Sequence, residues 1–189
     1  MTPQTSQNKI LIIGADGYVG TQMYATLGPT RSIATYFLEE VAGGRYFNAM
    51  TMNLSDVIDL SDDVSHAVIL YGNTKPDSCA ANPEAAYAVN VVSIKTVVDW
   101  LNSVGITPVF TSTESVFDGE KGNYTEEDCP NPLHPYGLQK IEVEDYIEKN
   151  CNRYIIARLG RVFGSTPGDG TLLDQFVSSI HAKETIYCA

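Results

Sequence analysis

The stretch KILIIGADGYVG spans residues 9–20. Residues 9–13 form a short run that is apolar from Ile10 to Ile13, which is typical of a strand buried on both faces of a parallel sheet. Apolar residues then recur at helical spacing through Val19, Met23 and Leu27, and the pattern ends near Gly28. The stretch therefore predicts a strand, a glycine-rich turn and a helix in direct succession.

The turn contains Gly14, Gly17 and Gly20 in the pattern Gly-x-x-Gly-x-x-Gly. Glycines permit a tight turn and let the backbone approach a pyrophosphate, and the following helix N-terminus supplies amide donors with partial positive charge. A connection without a ligand is the alternative, but the position between a strand and a helix favours nucleotide binding. The candidate cofactor-binding residues of the turn are Gly14, Asp16, Gly17, Tyr18, Val19 and Gly20.

Alternating strands and helices are predicted along the rest of the chain. Apolar runs predict strands at 33–37, 67–71, 108–111 and 154–157. Helical spacing predicts helices at 83–103, 136–149 and roughly 170–189. This alternation predicts an α/β, three-layer Rossmann fold with a doubly wound parallel sheet. We expect an N-terminal tail at 1–8, a Rossmann domain at 9–165 and the start of an incomplete substrate-binding region at 166–189.

Composition restricts the classes of partner. The net charge is −11, with 23 acidic and 12 basic residues, which argues against nucleic-acid binding. No apolar run approaches the ~18 residues of a membrane span, and residues 1–8 lack a signal-peptide pattern. The four cysteines form no Cys-x-x-Cys pair and the three histidines share no metal spacing. We therefore expect a cytoplasmic protein with reduced thiols and no metal site.

Tyr136 and Lys140 lie four residues apart in the predicted helix 136–149, so their side chains share one face. A phenol titrates near pH ~10 in isolation, and a nearby cation favours its anion. The spacing therefore predicts a tyrosine that can donate and accept a proton near neutral pH.

Residues 111–119, TSTESVFDG, sharpen this interpretation. Together with residues 124–128, Pro132 and Tyr136-Gly137, they resemble segments of extended short-chain dehydrogenase/reductases, in particular dTDP-4-dehydrorhamnose reductases and their nucleotide-sugar relatives. The resemblance covers most of residues 9–165. It implies an oxidoreductase that uses NAD or NADP and acts on a nucleotide sugar, with reduction of a 4-keto sugar as the first choice.

The resemblance also implies roles for individual residues. Thr113 would hydrogen-bond the substrate oxygen, Tyr136 would transfer the proton, and Lys140 would lower the tyrosine pKa and hold the cofactor ribose. Asn90 matches a helix asparagine that supports the site. The remaining cofactor contacts implied in this way are Asn53, Leu54, Tyr71, Gly72, Asn73, Arg161 and Val162.

The chain departs from the family pattern in places. Glu114 replaces the usual aspartate after Thr113, and Ser115 replaces an aromatic residue. Tyr36 and Phe37 stand where an acid usually holds the ribose hydroxyls, so the choice between NAD and NADP is open. Family members run longer, and the C-terminal part that builds most of their sugar-nucleotide pocket is nearly missing here. Arg31 and Arg45 are candidate phosphate ligands, but the sequence favours an ordinary surface position for both.

Two other functions stay open. An epimerase or dehydratase uses the same three residues; for dehydration an acidic pair beside Thr113 is expected, and Glu114 supplies one acid. A catalytically silent NAD(P)-binding regulatory module is the alternative of another class. Family members often pair through a helix bundle, which makes 83–103 and 136–149 the candidate faces of a homodimer.

Overall fold

A six-stranded sheet forms the centre of the fold. The computed structural model describes residues 8–164 and 168–185. The strands are β1 (Lys9–Ile13), β2 (Ser32–Tyr36), β3 (Arg45–Tyr46), β4 (Val64–Ile69), β5 (Thr107–Thr113) and β6 (Ile155–Leu159). Their order is β3-β2-β1-β4-β5-β6. The β1–β2, β2–β3, β1–β4 and β4–β5 pairings are all parallel.

Helices connect the strands. They are α1 (Tyr18–Leu27), α2 (Pro76–Ala81), α3 (Pro83–Tyr87), α4 (Ile94–Ser103), α5 (Pro135–Asn150) and α6 (Leu172–Ala182). The single helix expected at 83–103 is interrupted, because a π-helical segment, Ala88–Ser93, separates α3 from α4. The short elements β3 and α2 were not predicted.

The predicted alternation of strands and helices is confirmed. The strand expected at 67–71 lies at Val64–Ile69, because it also includes the more polar residues that precede the apolar run. The helix expected at roughly 170–189 is described at Leu172–Ala182, and 186–189 lie outside the described residues.

Strand β1 is buried on both faces, as its apolar run predicts. Leu11 and Ile13 belong to a core cluster with residues of α4 and α5. Ile12 belongs to a second cluster, which includes Ala34 of β2 and Met23 of α1. Helices therefore cover both faces of the sheet, and the three-layer Rossmann fold predicted from the sequence is confirmed.

Strand order reverses at β1, which lies between β2 and β4. In doubly wound sheets, such a switch point opens a crevice at the carboxyl ends of the strands, where ligands bind. The glycine-rich turn follows β1 directly, so it lies at this crevice.

The chain divides into two compact units between Arg158 and Leu159. Within the second unit, the Asp174 carboxylate near the start of α6 accepts hydrogen bonds from the Gly168 and Gly170 amides, at 2.6 and 3.2 Å. The expected boundary at 165–166, Cys188 and nearly all of the expected tail at 1–8 lie outside the described residues.

The described residues contain neither a candidate membrane span nor a candidate metal cluster. None of their helices combines the length and apolar character that crossing a membrane requires. No group of three or more His, Cys, Asp or Glu side chains in 8–164 and 168–185 is arranged to hold a metal ion.

Candidate active site

The glycine-rich turn is closed so tightly that side chains are excluded at two of its positions. Gly14 has a φ of +94°, and a Cβ there would lie 3.1 Å from the Tyr71 amide nitrogen. A Cβ on Gly20 would lie 2.3 Å from the Gly14 carbonyl oxygen. At Gly17 the nearest atom would be 3.5 Å away, an ordinary contact. The turn thus brings bare backbone and the N-terminus of α1 to the crevice, the arrangement that phosphate groups bind.

A cavity of about 460 Å³ opens beside this turn. Its walls come from the turn, the ends of β2 and β4 and the segment 47–50. The predicted site residues that line it are Gly14, Asp16, Gly17, Tyr71, Gly72 and Asn73. Residues that sequence analysis did not assign also line it, including Thr35, Asn48, Met50, Val89 and Ser93.

Asp16 ties the turn to the loop after β2. Its Oδ2 accepts hydrogen bonds from the backbone amides of Phe37, Leu38 and Glu39, at 3.1, 2.8 and 3.4 Å. Sequence analysis placed Asp16 in the turn but missed this bridge. The one signal in the sequence was an acidic residue in the glycine turn, in a chain that lacks the usual acidic residue at the end of β2.

Asn90, from the π-helical segment, holds the loop after β4. Its Oδ1 accepts from the Asn73 amide at 2.7 Å, and its Nδ2 donates to the Asn73 carbonyl at 2.9 Å and to Gln139 Oε1 at 2.8 Å. A Cβ on Gly72 would lie 2.9 Å from the same Oδ1, so the loop approaches Asn90 closely. The role of Gln139, on α5, was not predicted.

Thr113, Tyr136 and Lys140 are brought together at the end of β5 and the start of α5. All three are buried, with 6%, 8% and 4% of their surface exposed. The Thr113 hydroxyl hydrogen-bonds the Tyr136 phenol, and it also contacts Glu114 Oε2 at 3.3 Å. Lys140 Nζ donates to the Thr111 carbonyl at 2.7 Å and lies 5.7 Å from the centre of the Tyr136 ring.

Burial controls the pKa values of this cluster. Desolvation raises the pKa of Tyr136 to about 12, although the Thr113 hydrogen bond lowers it in part. Desolvation also lowers the pKa of Lys140 to about 8, against the opposing effect of Glu144. The pKa of Tyr136 is therefore raised where a lowering was expected, because loss of hydration on burial is the largest influence on it. The phenol is neutral at neutral pH and can donate a proton.

A buried ion pair supports this helix one turn further on. Glu144 is 2% exposed, and its two oxygens accept from Arg158 Nε at 3.1 Å and Nη2 at 2.6 Å. The guanidinium also lies 5.2 Å from the centre of the Phe117 ring. The pair joins α5 to β6, and sequence analysis did not identify it.

Other predicted residues lie elsewhere or have local roles. Asn53 caps the 3-10 helix Leu54–Asp56 and Leu54 is in the core; neither lines the cavity. Tyr18 and Val19 begin α1. Arg161 and Val162 belong to the second unit. Their contacts with a cofactor stay predictions.

The parallel sheet, the glycine turn at its switch point and the Thr113–Tyr136–Lys140 cluster define the class of extended short-chain dehydrogenase/reductases. Within that class, residues 8–187 match the model of the RmlD substrate binding domain family, and the chain belongs to this family.

Several characterised and solved proteins are similar to the chain. Methionine adenosyltransferase 2 subunit beta from Rattus norvegicus is 27% identical over 158 residues, which cover 82% of this chain and 47% of that protein. The dTDP-4-dehydrorhamnose reductase of Salmonella typhimurium is 27% identical over 155 residues, covering 82% of this chain and 51% of the enzyme. The chain spans about half the length of the curated relatives it matches.

A solved structure extends the likeness to three dimensions. The hypothetical dTDP-4-dehydrorhamnose reductase from Sulfolobus tokodaii is 30% identical, with a TM-score of 0.75, and the match covers 84% of this chain and 57% of that one. A dTDP-4-dehydrorhamnose reductase from Bacillus anthracis in complex with NADP, at 21% identity and a TM-score of 0.78, shares the fold.

Proposed function

We propose that this chain carries the cofactor-binding core and the catalytic residues of an NAD(P)-dependent oxidoreductase that reduces a 4-keto nucleotide sugar. The convergence of Thr113, Tyr136 and Lys140 in one buried cluster carries the proposal. The similarity to dTDP-4-dehydrorhamnose reductases supports the choice of substrate class.

The residues of the crevice fit a dinucleotide cofactor. A Cβ at Gly14 would crowd Tyr71 and one at Gly20 would clash with the Gly14 carbonyl, so glycine at both positions keeps the turn closed, with bare backbone that would face the pyrophosphate. The cavity beside Tyr71 and Gly72 would take the adenosine half. When bound, the nicotinamide supplies the hydride. Related proteins have been solved in complex with NADP and with NAD.

Thr113, Tyr136 and Lys140, the triad, would transfer the proton and stabilise the developing charge. Tyr136, neutral at pH 7, would donate its proton to the sugar oxygen as hydride arrives at the carbon. The Thr113 hydroxyl would hydrogen-bond the same oxygen and position the sugar. Lys140 would place a cation beside the tyrosinate that forms, which stabilises it. A donor tyrosine suits reduction, because the alkoxide needs a proton.

Dehydration is the second candidate. The Glu114 carboxylate contacts the Thr113 hydroxyl at 3.3 Å, so one acid lies beside the substrate position. Ser115 follows it and supplies no second acid. Epimerisation uses the same triad without net consumption of cofactor.

A silent binding module is the candidate of another class. Similarity to methionine adenosyltransferase 2 subunit beta supports it, since the name of that protein describes a subunit of another enzyme. Such a module has little need of all three triad residues. Binding of the cofactor without turnover of any nucleotide sugar would favour it.

The test is isotope transfer. NADH and NADPH carrying deuterium at the transferable C4 position are incubated with the protein and a dTDP-linked 4-keto-6-deoxy sugar. Reductase activity places deuterium on the sugar C4 and oxidises the cofactor in equal amount. A parallel incubation supplies oxidised cofactor and a dTDP-linked hexose with intact C4 and C6 hydroxyls, where return of unchanged cofactor with an inverted sugar centre, or with release of water, would assign epimerase or dehydratase. If the protein binds cofactor but shows no reductase, epimerase or dehydratase activity, the proposal that it is an enzyme is wrong.

We also propose a cytoplasmic location, a substrate-binding region that begins at 166–189, and a homodimer that forms through 83–103 and 136–149. Exposed apolar side chains support the dimer: Val92, before α4, is 52% exposed and Leu138, on α5, is 57% exposed. Sedimentation of the wild type and of Leu138→Glu tests this. A monomer at every concentration would contradict it.

A further inference from the structure

The cavity beside the glycine turn carries negative charge at the end formed by the loop after β2. Asp16 and Glu39 are the charged residues of its lining in the described chain. Asp16 is held there by the three amides of residues 37–39. Its carboxylate therefore lies beside the loop after β2, near the strand end where a dinucleotide fold usually has an acid and where this chain has Tyr36 and Phe37.

The arginines that could offset this charge are directed elsewhere. Arg45 forms a two-pronged ion pair with Asp62, at 2.5 and 2.7 Å, and also donates to the Val57 carbonyl. Arg31 directly precedes β2, and it therefore lies at the opposite end of the strand from the cavity. Neither arginine lines the cavity.

We propose that Asp16 makes this chain select NAD(H) over NADP(H), an inference that rests on the proposed oxidoreductase function. The Asp16 carboxylate would accept a hydrogen bond from a ribose hydroxyl of NAD. A 2′-phosphate at the same position would bring a dianion against the Asp16 and Glu39 carboxylates, and these like charges would repel. Selectivity thus comes from the glycine turn rather than from an acid on β2.

The same geometry predicts how selectivity can be reversed. Three consecutive backbone amides pointing at one oxygen form an anion-binding nest. Asp16 fills this nest in the wild type. Removing its side chain with Asp16→Ala would free the amides to bind the 2′-phosphate, whereas Asp16→Asn keeps the shape and removes the charge.

Equilibrium binding tests the inference without turnover. Dissociation constants are measured for NADH, NADPH, ADP-ribose and 2′-phospho-ADP-ribose, by calorimetry, on the wild type and on the variants Asp16→Asn and Asp16→Ala. Glu40→Gln is the matched control, because it removes one negative charge next to Glu39 from a residue outside the lining. Thermal melting of each variant confirms that it is folded.

We expect the wild type to bind NADH and ADP-ribose at least about tenfold more tightly than their 2′-phosphorylated forms, and each Asp16 variant to lower that ratio about tenfold. Glu40→Gln should leave the ratio within about twofold. Equal or tighter wild-type binding of the phosphorylated ligands, or an unchanged ratio in both Asp16 variants, overturns the inference. Folded wild type that binds none of the four ligands overturns the proposed function itself.

Discussion

The Asn90 side chain satisfies both backbone hydrogen-bonding groups of Asn73, accepting from its amide at 2.7 Å and donating to its carbonyl at 2.9 Å. The same amide nitrogen of Asn90 donates to Gln139 on α5. The loop that lines the cavity is thereby linked to the helix that carries Tyr136 and Lys140. This link predicts that the cofactor cavity and the catalytic helix depend on one buried side chain.

Asn90→Ala should lower the free energy of unfolding by about 2–4 kcal/mol, because it removes the partner of two half-buried backbone groups of Asn73 and of the buried Gln139 side chain. It should also weaken NADH binding, since the loop at Gly72 loses its support. Chemical denaturation and calorimetry measure the two effects. The control is Asn102→Ala, which removes one exposed hydrogen bond and should change stability by less than about 1 kcal/mol. Equal effects of the two variants would contradict the proposed link.

Gly20→Ala should destabilise the protein by about 2 kcal/mol or more, because its Cβ would lie 2.3 Å from the Gly14 carbonyl oxygen. Gly17→Ala has an ordinary contact at 3.5 Å and an extended backbone, with a φ of −81°, so its effect on stability should stay within about 1 kcal/mol. Thermal or urea unfolding distinguishes them. Similar losses of stability in the two variants would contradict the explanation that glycine is required at Gly20 by the tight closure of the turn.

Lys140→Met should stabilise the protein at neutral pH while removing activity. Burial lowers the folded-state pKa of Lys140 to about 8 from 10.5, so between these pH values the unfolded chain binds the proton more tightly. Stability of the wild type therefore rises with pH across this window, and the buried charge destabilises it below pH 8 by up to about 3 kcal/mol.

Urea unfolding of the wild type and Lys140→Met at pH about 7 and about 9.5 measures this difference. The variant should be the more stable protein at the lower pH, and its advantage should shrink at the higher pH. Lys149→Met, at a side chain that is 75% exposed, should show no such change. An advantage that does not vary with pH would contradict the lowered lysine pKa.

Glu144→Gln should destabilise the fold by about 2–4 kcal/mol, because it leaves the Arg158 cation without its buried partner. The single variants Glu144→Met and Arg158→Met should each destabilise the fold, and the double variant should recover part of the combined loss; these three proteins and the wild type form a double-mutant cycle that quantifies the coupling. Breaking the exposed Lys149–Asp145 pair with Asp145→Asn should change stability by less than about 1 kcal/mol. Additive effects at Glu144 and Arg158 would show that the pair is not coupled.

Local sequence patterns were sufficient to predict the central elements. The apolar run before Gly14 predicted β1, and the three glycines predicted the turn at the switch point. The four-residue spacing predicted that Tyr136 and Lys140 share a helix face, and the structure places both in one buried cluster.

Tertiary contacts account for what the sequence could not predict. The Asp16 bridge joins residues about 22 positions apart, so the acid in the glycine turn could be noticed in the sequence but its partners could not be predicted. The direction of the Tyr136 pKa shift depends on how deeply the side chain is buried, and residue spacing in the sequence does not predict burial. Asn90 and Ser93 are buried in the π-helical segment. Apolar periodicity predicted only a continuous α-helix at these positions.

The most direct test of the central claim is the steady-state oxidation of NADH with a dTDP-linked 4-keto-6-deoxy sugar, for the wild type and Tyr136→Phe. The account predicts turnover by the wild type, a kcat at least about 100-fold lower in Tyr136→Phe, and the same dissociation constant for NADH in both. Equal kcat values, or no oxidation by a wild type that binds NADH, would contradict it.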